Sequence, residues 1–385
     1  MKILLVSMNN LHFTRWSDQL RESDHEVFWF DIKDQGYSPS MSGMTQVVGW
    51  KKGFLKKRGR SFIKKRVPKF FSFLSSQLDV PVEKAFEKAL LDIQPDVVHS
   101  FALYISCTPI YEVMNRYKEV NWLYSSWGSD LYYFQHHTAY LKDIQKVLLR
   151  MDYLITDCHR DRQIALEHGF KGKFLGVIPG GGGFELDSIQ NKIQAVSERK
   201  IILVKGNQNR SGRALPVLKA LVALPGLLCD YEIVIFGAQH PEIFEFQKEK
   251  NPTIRVHGLL DHSQILELMC ASLIYIGNSN SDGMPNTLLE AMCCGAFPIQ
   301  SNPGNATAEI VTHASNGLLI EDCENSEEIQ QHISFAIQNI AMIQNAFAYN
   351  QAYAQEHLSR EVLTKKALKM YQSIPTTEGS IPFES

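Results

Sequence analysis

The sequence predicts an α/β protein with two Rossmann-like domains, each built on a doubly wound parallel sheet. Its length of 385 residues exceeds what one hydrophobic core usually supports, which favours two domains. Apolar strand-like runs alternate with helical stretches along the chain, as they do in the βαβ units of parallel sheets. A hydrophobic content of 44% and an aromatic content of 10% are ordinary for a folded globular protein and exclude general disorder.

The first half of the chain is predicted to form one parallel sheet. Lys2–Ser7 holds only four consecutive apolar residues, too few for a signal peptide, so it is expected to be the first strand. Several later strands end in polar residues, at the edge where open parallel sheets bind their ligands. Further strands are expected over 26–31, 95–100, 121–126, 153–157 and 174–179, with helices over 16–21 and 80–94.

Four consecutive glycines, Gly180–Gly183, separate the two halves. Because each glycine costs backbone entropy on folding, this run predicts a mobile or closely approached backbone between domains. The second half is predicted to contain strands over 200–206, 231–237 and 272–277, then a loop, a short helix and a strand over 281–299, and a final helix over 360–373.

Cysteine usage and hydropathy indicate a cytoplasmic setting. The seven cysteines are an odd number without CxxC spacing, which indicates reduced thiols. No apolar run approaches the ~20 residues of a membrane span. His136-His137 and the scattered cysteines lack the spacing of metal ligands, so no metal site is predicted.

The net charge of −2 conceals a basic segment over 51–73. Ten basic and no acidic residues lie between Lys51 and Lys69, which leaves 29 basic residues against 41 acidic ones elsewhere. Bulky apolar residues interleave with these cations, as in segments that lie in an anionic membrane interface, where each cation contributes ~1 kcal/mol. A merely solvated basic face is the alternative, and nucleic-acid binding is disfavoured because no recognition motif accompanies the cluster. The predicted membrane-binding residues are Lys56, Lys57, Arg58, Arg60, Lys64, Lys65 and Arg66.

The most informative stretch runs from Ser281 to Ile299. Its loop carries an acid, Asp282, and its helix carries a second acid, Glu290, eight positions later. Pro285 suits the first turn of this helix or the position before it. Backbone N–H groups at a helix start suit a phosphate, and the carboxylate that follows suits ribose hydroxyls. The stretch therefore predicts a site for a nucleoside diphosphate.

This stretch resembles the signature of retaining glycosyltransferases of family 4, which have the two-domain GT-B fold. The signature is an acid, seven residues and a Glu, followed by Ala-Met and a strand entry with Gly and Pro, and the chain has Glu290-Ala291-Met292 and Gly295–Pro298 there. Further similarity follows over 301–305, 309–311 and 316–319.

The resemblance implies a GT-B protein with a central cleft, in which the last helix crosses back to the first domain. Residues 1–184 would form an acceptor-binding domain with the basic segment, and residues 185–358 a nucleotide-sugar-binding domain. Residues 359–385 would form the crossover helix and a tail.

In the resembling family an Arg and a Lys of the second domain hold the pyrophosphate, where negative charge builds up as the glycosidic bond breaks. The order of these cations differs here, so Lys205 is expected to take the place of the family's Lys. Arg210 and Arg213 are alternative candidates for the place of the Arg. A plain basic loop is the alternative. Asp282 stands where the family usually has a Glu that contacts the donor sugar, and Glu290 matches the ribose-binding acid. The other residues expected to bind the nucleotide sugar are Gly206, Gly283, Met284, Pro285 and Asn286.

In the first domain, Trp127 stands where the family usually has a His near the donor sugar, and a Trp cannot act as a base. Asp130 keeps its place and is expected to be catalytic together with Lys205 and Asp282, with a helix cap as the alternative. His12 and His99 are candidate contacts to the acceptor or the donor sugar, and a structural role is the alternative for His99.

The resemblance implies a retaining, metal-independent hexosyltransferase, in which the departing phosphate oxygen takes the acceptor proton and protein cations and helix dipoles replace a metal. The expected partners are a UDP- or GDP-linked sugar, a glycan or lipid-linked acceptor of surface polysaccharide synthesis, and the inner face of a membrane. No other cofactor is expected. The alternatives are a catalytically degenerate GT-B partner protein, a sugar-nucleotide epimerase, and a phosphorylase, for which no lysine context for a pyridoxal cofactor is evident.

Overall fold

The structure, a computed structural model, describes residues 1–51 and 79–376. It contains two sheets in which neighbouring strands run parallel, each covered by helices. The predicted α/β class with two Rossmann-like domains is confirmed. Apart from Lys51, the cations of the basic segment lie outside the described residues, as does the end of the tail.

The first sheet has the strand order β3-β2-β1-β4-β5-β6-β7. Its strands are β1 Lys2–Ser7, β2 Glu26–Asp31, β3 Thr45–Val47, β4 Val97–Phe101, β5 Asn121–Ser125, β6 Tyr153–Thr156 and β7 Lys173–Val177. Because helices cover both faces of the sheet, its inner strand β1 buries every residue after Lys2 instead of alternating. The helices of this domain are α1 Leu11–Asp18, α2 Val82–Ile93, α3 Tyr111–Arg116, α4 Thr138–Arg150 and α5 His159–Glu167.

The second sheet has the order β10-β9-β8-β11-β12-β13. Its strands are β8 Ile201–Lys205, β9 Glu232–Phe236, β10 Arg255–Val256, β11 Ser272–Gly277, β12 Phe297–Ser301 and β13 Leu318–Ile320. The helices around it are α6 Leu186–Gln190, α7 Ala214–Val222, α8 Pro241–Lys250, α9 His262–Ala271, α10 Asn286–Cys293, α11 Ser326–Gln338 and α12 Ile340–Tyr353. The carboxyl ends of β8 and β11 therefore lie side by side at the centre of this sheet, where α/β folds bind ligands.

The last helix, α13 Arg360–Gln372, belongs to the core of the first domain. Its buried residues Leu363, Ala367 and Tyr371 pack in one apolar cluster with Trp16 of α1 and Ile3 of β1. The predicted return of the last helix to the first domain is thus confirmed, and it ties the two halves together by burial of apolar surface.

The chain crosses between the domains at two adjacent points. Phe184 and Ser359 form a parallel bridge there. Gly182 has φ +106°, and a Cβ at this position would lie 2.7 Å from Nε2 of Gln19. A Cβ at Gly183, where φ is +84°, would lie 2.9 Å from Cα of Arg360. Gln19 and Arg360 thus approach the backbone of the glycine run closely, because only glycine combines these φ values with such contacts.

Some boundaries differ from the sequence-based expectation. Helix α1 begins at Leu11 rather than near Trp16, because the Asn10 side chain caps it by accepting a hydrogen bond from the N–H of Phe13 at 2.8 Å. The short strands β3, β10 and β13 were not predicted as strands. The seven cysteines are all free. Among the described helices, none combines the length and the apolarity that crossing a membrane requires.

Candidate functional site

A cavity of about 360 Å³ lies between the two domains. The first domain contributes the loop after β1, the loop after β5 and the end of β6, and the second contributes the end of β8 and the start of α10. A volume of this size is typical of small-molecule sites. The lining side chains with polar or aromatic groups are Asn10, His12, Trp127, Asp157, Lys205, Asp282, Asn286 and Thr287.

Lys205, Asp282 and the start of α10 meet at this cavity, as the sequence predicts. Lys205 is the last residue of β8, and the sheet places it opposite the loop that carries Asp282. Pro285 precedes the first turn of α10, and no side chain in the described ranges caps that end of the helix. The helix start therefore offers backbone N–H groups and the positive end of its dipole to the cavity.

Two first-domain residues predicted to contact the sugars also line the cavity. Nδ1 of His12 lies 2.6 Å from Nδ2 of Asn286, so the two domains touch at the cavity mouth. Burial and the nearby charge of Arg15 lower the pKa of His12, which favours the neutral ring. Trp127 packs against Phe101 with ring centroids 4.8 Å apart and presents an apolar wall.

Glu290 lies one helical turn deeper, where it is 4% exposed. Its Oε1 lies 3.1 Å from Nη1 of Arg15, which belongs to α1 of the first domain, and 2.7 Å from Nε2 of His262. Burial alone would raise the pKa of Glu290, but the hydrogen bond with His262 and the charge of Arg15 outweigh it and hold that pKa below its ordinary value. Glu290 is therefore an ionised carboxylate in an ion pair that joins the domains.

The structure places neither candidate for the second cation at the cavity. Arg213 forms an ion pair with Glu324 and donates to the backbone oxygen of Asn209 at 2.9 Å, so its guanidinium is already engaged. The guanidinium carbon of Arg210 lies 4.0 Å from the ring centroid of Tyr133, where it makes a cation–π contact across the domains. Neither residue is among the described ones that line the cavity. Arg15 is the cation that the first domain places beside Glu290.

Gly206 also has a different role from the expected phosphate contact. Its N–H donates to the carbonyl of Phe236 at 2.8 Å, and a Cβ here would lie 2.6 Å from a methyl carbon of Ile235. This glycine permits close packing of β8 against β9, and its amide serves the sheet. Gly283, by contrast, lies in the loop over 278–285 that carries Asp282, called the acid loop below. A Cβ at Gly283 would come within 2.1 Å of Oδ2 of Asp157.

Asp130 and His99 are buried structural groups, contrary to the roles proposed from the sequence. Asp130 accepts hydrogen bonds from the N–H of Leu103 at 2.7 Å and from the hydroxyl of Tyr124, and burial raises its pKa to about 7. His99 is fully buried, with Nδ1 2.6 Å from the hydroxyl of Tyr371 and Nε2 2.8 Å from that of Ser125. For His99 the structural alternative holds, because Tyr371 of α13 and Ser125 of β5 engage both ring nitrogens in the middle of β4.

Three buried groups, Asp157, Cys158 and Asp161, have potential ligand atoms within 4.8 Å of one another. Their chemistry does not suit a metal ion. Nε and Nη2 of Arg160 already donate to Asp161 at 3.0 and 2.8 Å, which neutralises one carboxylate. Burial raises the pKa of the Cys158 thiol, which keeps it protonated, whereas metals bind the thiolate. Metal independence remains a prediction.

Sequence reasoning missed Arg15, His262 and Asp157. Asp157 directly follows strand β6, and the rule that parallel sheets place ligand contacts at their carboxyl ends would have indicated it. Arg15 and His262 carry no comparable signal. They lie 275 and 28 residues from Glu290 along the chain, and only the folded domains bring them to it.

The comparisons with known proteins cover part of the chain in sequence and nearly all of it in fold. Residues 186–352 match the family model described as glycosyl transferases group 1. An uncharacterized glycosyltransferase of Methanocaldococcus jannaschii is 27% identical over 271 residues, which are 66% of this chain and 64% of that protein.

Among solved structures, sucrose-phosphate synthase from Thermosynechococcus elongatus aligns with a TM-score of 0.72 at 15% identity, covering 97% of this chain and 98% of that one. HepE from Anabaena in complex with UDP aligns with a TM-score of 0.72 at 12% identity, covering 97% and 100%. The same protein in complex with UDP-glucose aligns with a TM-score of 0.71 at 13% identity over the same shares. These likenesses confirm the two-domain GT-B fold.

Proposed function

We propose that this chain, which has the GT-B fold and whose residues 186–352 match the family model of glycosyl transferases group 1, moves a sugar from a nucleoside diphosphate to a glycan or lipid-linked acceptor. The observation that carries the proposal is the convergence of Lys205, Asp282 and the uncapped start of α10 on one cavity between the domains. A cation and a helix N-terminus suit a diphosphate, and a nearby carboxylate suits sugar hydroxyls.

In the proposed reaction, Lys205 and the amides at the start of α10 stabilise the diphosphate as negative charge develops on it. Asp282 contacts hydroxyls of the transferred sugar, and Glu290 accepts hydrogen bonds from the ribose. His12 has a lowered pKa, but it touches Asn286 across the cleft, so we assign it contact rather than proton transfer. The leaving phosphate oxygen takes the acceptor proton on the face where the new bond forms, which retains the anomeric configuration and requires no metal.

The donor is proposed to be a UDP- or GDP-linked sugar. The solved complexes of Anabaena HepE contain UDP and UDP-glucose, which supports a nucleoside diphosphate at the same architecture. The acceptor is proposed to be a surface glycan or its lipid-linked precursor. The basic segment 51–73 is proposed to hold the protein at the membrane where such an acceptor lies. That part of the proposal rests on the sequence of the segment, with its ten cations and interleaved phenylalanines.

The first test is unfolding of the full chain against UDP, GDP, ADP, CMP and their common sugar conjugates. A ligand at a hundred times its Kd stabilises the native state by ~2.7 kcal/mol, a shift that thermal unfolding resolves. One nucleotide is expected to stand out, with the shift abolished in Glu290→Ala and Lys205→Ala. Lys200→Ala is the matched control, because Lys200 is exposed at the opposite end of β8. If Lys205→Ala responded like Lys200→Ala, the diphosphate assignment would be wrong.

The membrane part has its own test. Replacing Lys56, Lys57 and Arg58 by Glu is expected to abolish sedimentation with phosphatidylglycerol vesicles while leaving nucleotide binding intact. Reversing the charge of Lys248 and Lys250, two exposed cations on α8, serves as the control. Equal binding by both variants would exclude the basic segment as the membrane contact.

A catalytically degenerate GT-B protein is the second candidate. The observation that favours it is the engagement of Glu290 by Arg15 and His262, which leaves this carboxylate occupied before any ribose arrives. A flat response to the whole nucleotide panel would support this candidate over the transferase.

A further inference from the structure

Asp157 is a buried carboxyl group that lines the interdomain cavity. It follows β6 of the first domain, is 6% exposed, and lines the cavity together with Lys205 and Asp282 of the second domain. It also borders a neighbouring cavity of about 330 Å³ that extends towards α13. No residue in the sequence signature points to it, and its role in the reaction is unassigned by the family resemblance.

The two oxygens of Asp157 have different surroundings. Oδ2 accepts a hydrogen bond from the N–H of Gly128 at 3.0 Å and lies against Gly283. Oδ1 is buried but has no hydrogen-bond partner among the described residues. A buried carboxyl oxygen without a partner costs free energy, so this arrangement is explained if a ligand completes it.

The position of Oδ2 fixes the place of Asp157 relative to the acid loop. A Cβ at Gly283 would lie 2.1 Å from this oxygen, so only glycine allows the loop after Asp282 to approach so closely. The loop is also held in place by Nη2 of Arg160, which donates to the carbonyl of Asp282 at 2.8 Å. Asp157 and Asp282 thus face one cavity from opposite domains.

We propose that Oδ1 of Asp157 hydrogen-bonds a hydroxyl of the transferred sugar, so that the donor sugar is held between Asp157 of the first domain and Asp282 of the second. The inference rests on the proposed transferase function and adds to it a sugar-contacting residue. The donor sugar is favoured over the acceptor because Asp157 touches Gly283, the neighbour of the predicted sugar-binding acid, and shares the cavity with Lys205.

The charges around Asp157 indicate which form of the acid makes the contact. Burial and the neighbouring charge of Asp161 raise the pKa of Asp157 to about 8. Asp161 is paired with Arg160 and accepts from Ser126 at 3.2 Å, so it is the carboxyl that ionises. Since the Gly128 N–H occupies Oδ2, the proton of the neutral acid resides on Oδ1, which therefore acts as a donor to a sugar oxygen.

The protein alternative to a ligand is the Cys158 thiol, whose sulfur lies within 4.8 Å of the Asp157 carboxyl and whose hydrogen bond would lower the pKa of Asp157. A thiol is a weak hydrogen-bond donor, and a thiol proton does not replace the acceptor that a protonated Oδ1 requires. A sugar hydroxyl is both donor and acceptor and therefore satisfies Oδ1 in either protonation state.

The test measures how much the sugar adds to nucleotide affinity, with no acceptor present. The dissociation constants of UDP, UDP-glucose and UDP-galactose, and of GDP and GDP-mannose, are measured by calorimetry for the wild type, Asp157→Ala and Asp157→Asn. Thr156→Val is the matched control, because Thr156 is the preceding buried residue and its unpartnered hydroxyl lies outside the cavity lining.

For the sugar nucleotide that the wild type prefers, Asp157→Ala is expected to weaken binding roughly tenfold, as for loss of one hydrogen bond, while the affinity for the free nucleotide stays unchanged. Asp157→Asn is expected to keep the preference within about threefold, because its amide donates where the neutral acid does. Thr156→Val is expected to match the wild type.

The opposite outcomes are equally distinct. An unchanged preference in Asp157→Ala, or a wild type to which no sugar adds affinity, would overturn the sugar contact while the nucleotide site stands. Equal weakening of nucleotide and sugar nucleotide would assign Asp157 a structural role. Failure of the wild type to bind any of the five compounds would refute the UDP- or GDP-linked donor of the proposed function, on which this inference rests.

Discussion

The ion pair between Arg15 and Glu290 is expected to hold the two domains together, and a double-mutant cycle measures it. The variants are Arg15→Met, Glu290→Gln and the pair of changes combined, compared by urea unfolding at pH 7. At 3.1 Å and an effective dielectric constant of about 20, the gross attraction is about 5 kcal/mol. Desolvation cancels much of it, since both side chains are largely buried, and hydrogen bonds to charged groups contribute about 1.5–3 kcal/mol net. We expect a coupling energy of about 2 kcal/mol.

The sign of the pH dependence follows from the pKa of Glu290, which the folded protein holds below its ordinary value. A carboxylate of this kind contributes its full stability above the pKa of the unfolded chain, about 4.3, and loses it as the pH falls through the lower pKa of the folded state. The coupling energy is therefore expected to be constant above about pH 5 and to decline in more acidic solution.

A matched control is the exposed pair of Arg21 and Asp18, whose nitrogen and oxygen are 2.7 Å apart at the end of α1. Its cycle is expected to give less than about 1 kcal/mol, as surface pairs do. Saturating nucleotide is expected to reduce the coupling of Arg15 with Glu290, because ribose hydroxyls compete for the same carboxylate. A coupling below about 0.5 kcal/mol at pH 7, or one unaffected by acid, would refute the argument.

Three further predictions concern stability. Tyr371→Phe removes the hydroxyl that lies 2.6 Å from Nδ1 of His99. It is expected to lower the free energy of unfolding by about 1–2 kcal/mol without changing nucleotide affinity. A loss of nucleotide affinity would indicate that His99 contributes to the binding site. Asp157→Asn is expected to gain stability over the wild type as the pH rises from about 4 to 8, because the raised pKa of Asp157 makes its ionisation unfavourable in the folded state, and parallel pH profiles would contradict this. Gly182→Ala is expected to lower the free energy of unfolding by about 1–3 kcal/mol, because it combines a φ of +106° with a Cβ 2.7 Å from Nε2 of Gln19. Thermal unfolding measures this loss, and an unchanged midpoint would contradict the prediction.

The sheets and the nucleotide side of the cavity could be predicted because their signals are local. Strand β1 is a short apolar run, and the acid loop and helix α10 form one continuous motif of loop, proline and apolar face. Lys205 follows from the rule that ligand contacts lie at the carboxyl ends of parallel strands. Each of these inferences needs only residues that are neighbours in the sequence, so none of them depends on contacts with distant parts of the chain.

The errors concern side chains whose surroundings are assembled from distant parts of the chain. His99 is near the end of the strand predicted over 95–100, but β4 extends to Phe101, and α13, more than 250 residues later, supplies Tyr371 to bind the ring. Arg213 has the right charge in the right loop, yet Glu324 neutralises it. The position of a residue at a strand end predicts which edge of the sheet it occupies. It does not predict whether another helix or loop covers that edge.

Asp157 shows why a missing partner is as informative as a present one. Its sequence is no more distinctive than that of His99, since each belongs to a polar stretch at the predicted end of a parallel strand and each is buried. The two differ in the remaining polar atom: both ring nitrogens of His99 have protein partners, whereas Oδ1 of Asp157 has none in the described part of the chain. Because a folded chain rarely leaves a buried polar atom unsatisfied, a completed network indicates a structural role. An unpartnered atom of a residue that lines a cavity, as Asp157 does and Thr156 does not, indicates a place for a ligand. The distinction depends on atoms from both domains, so a sequence alone could not have made it.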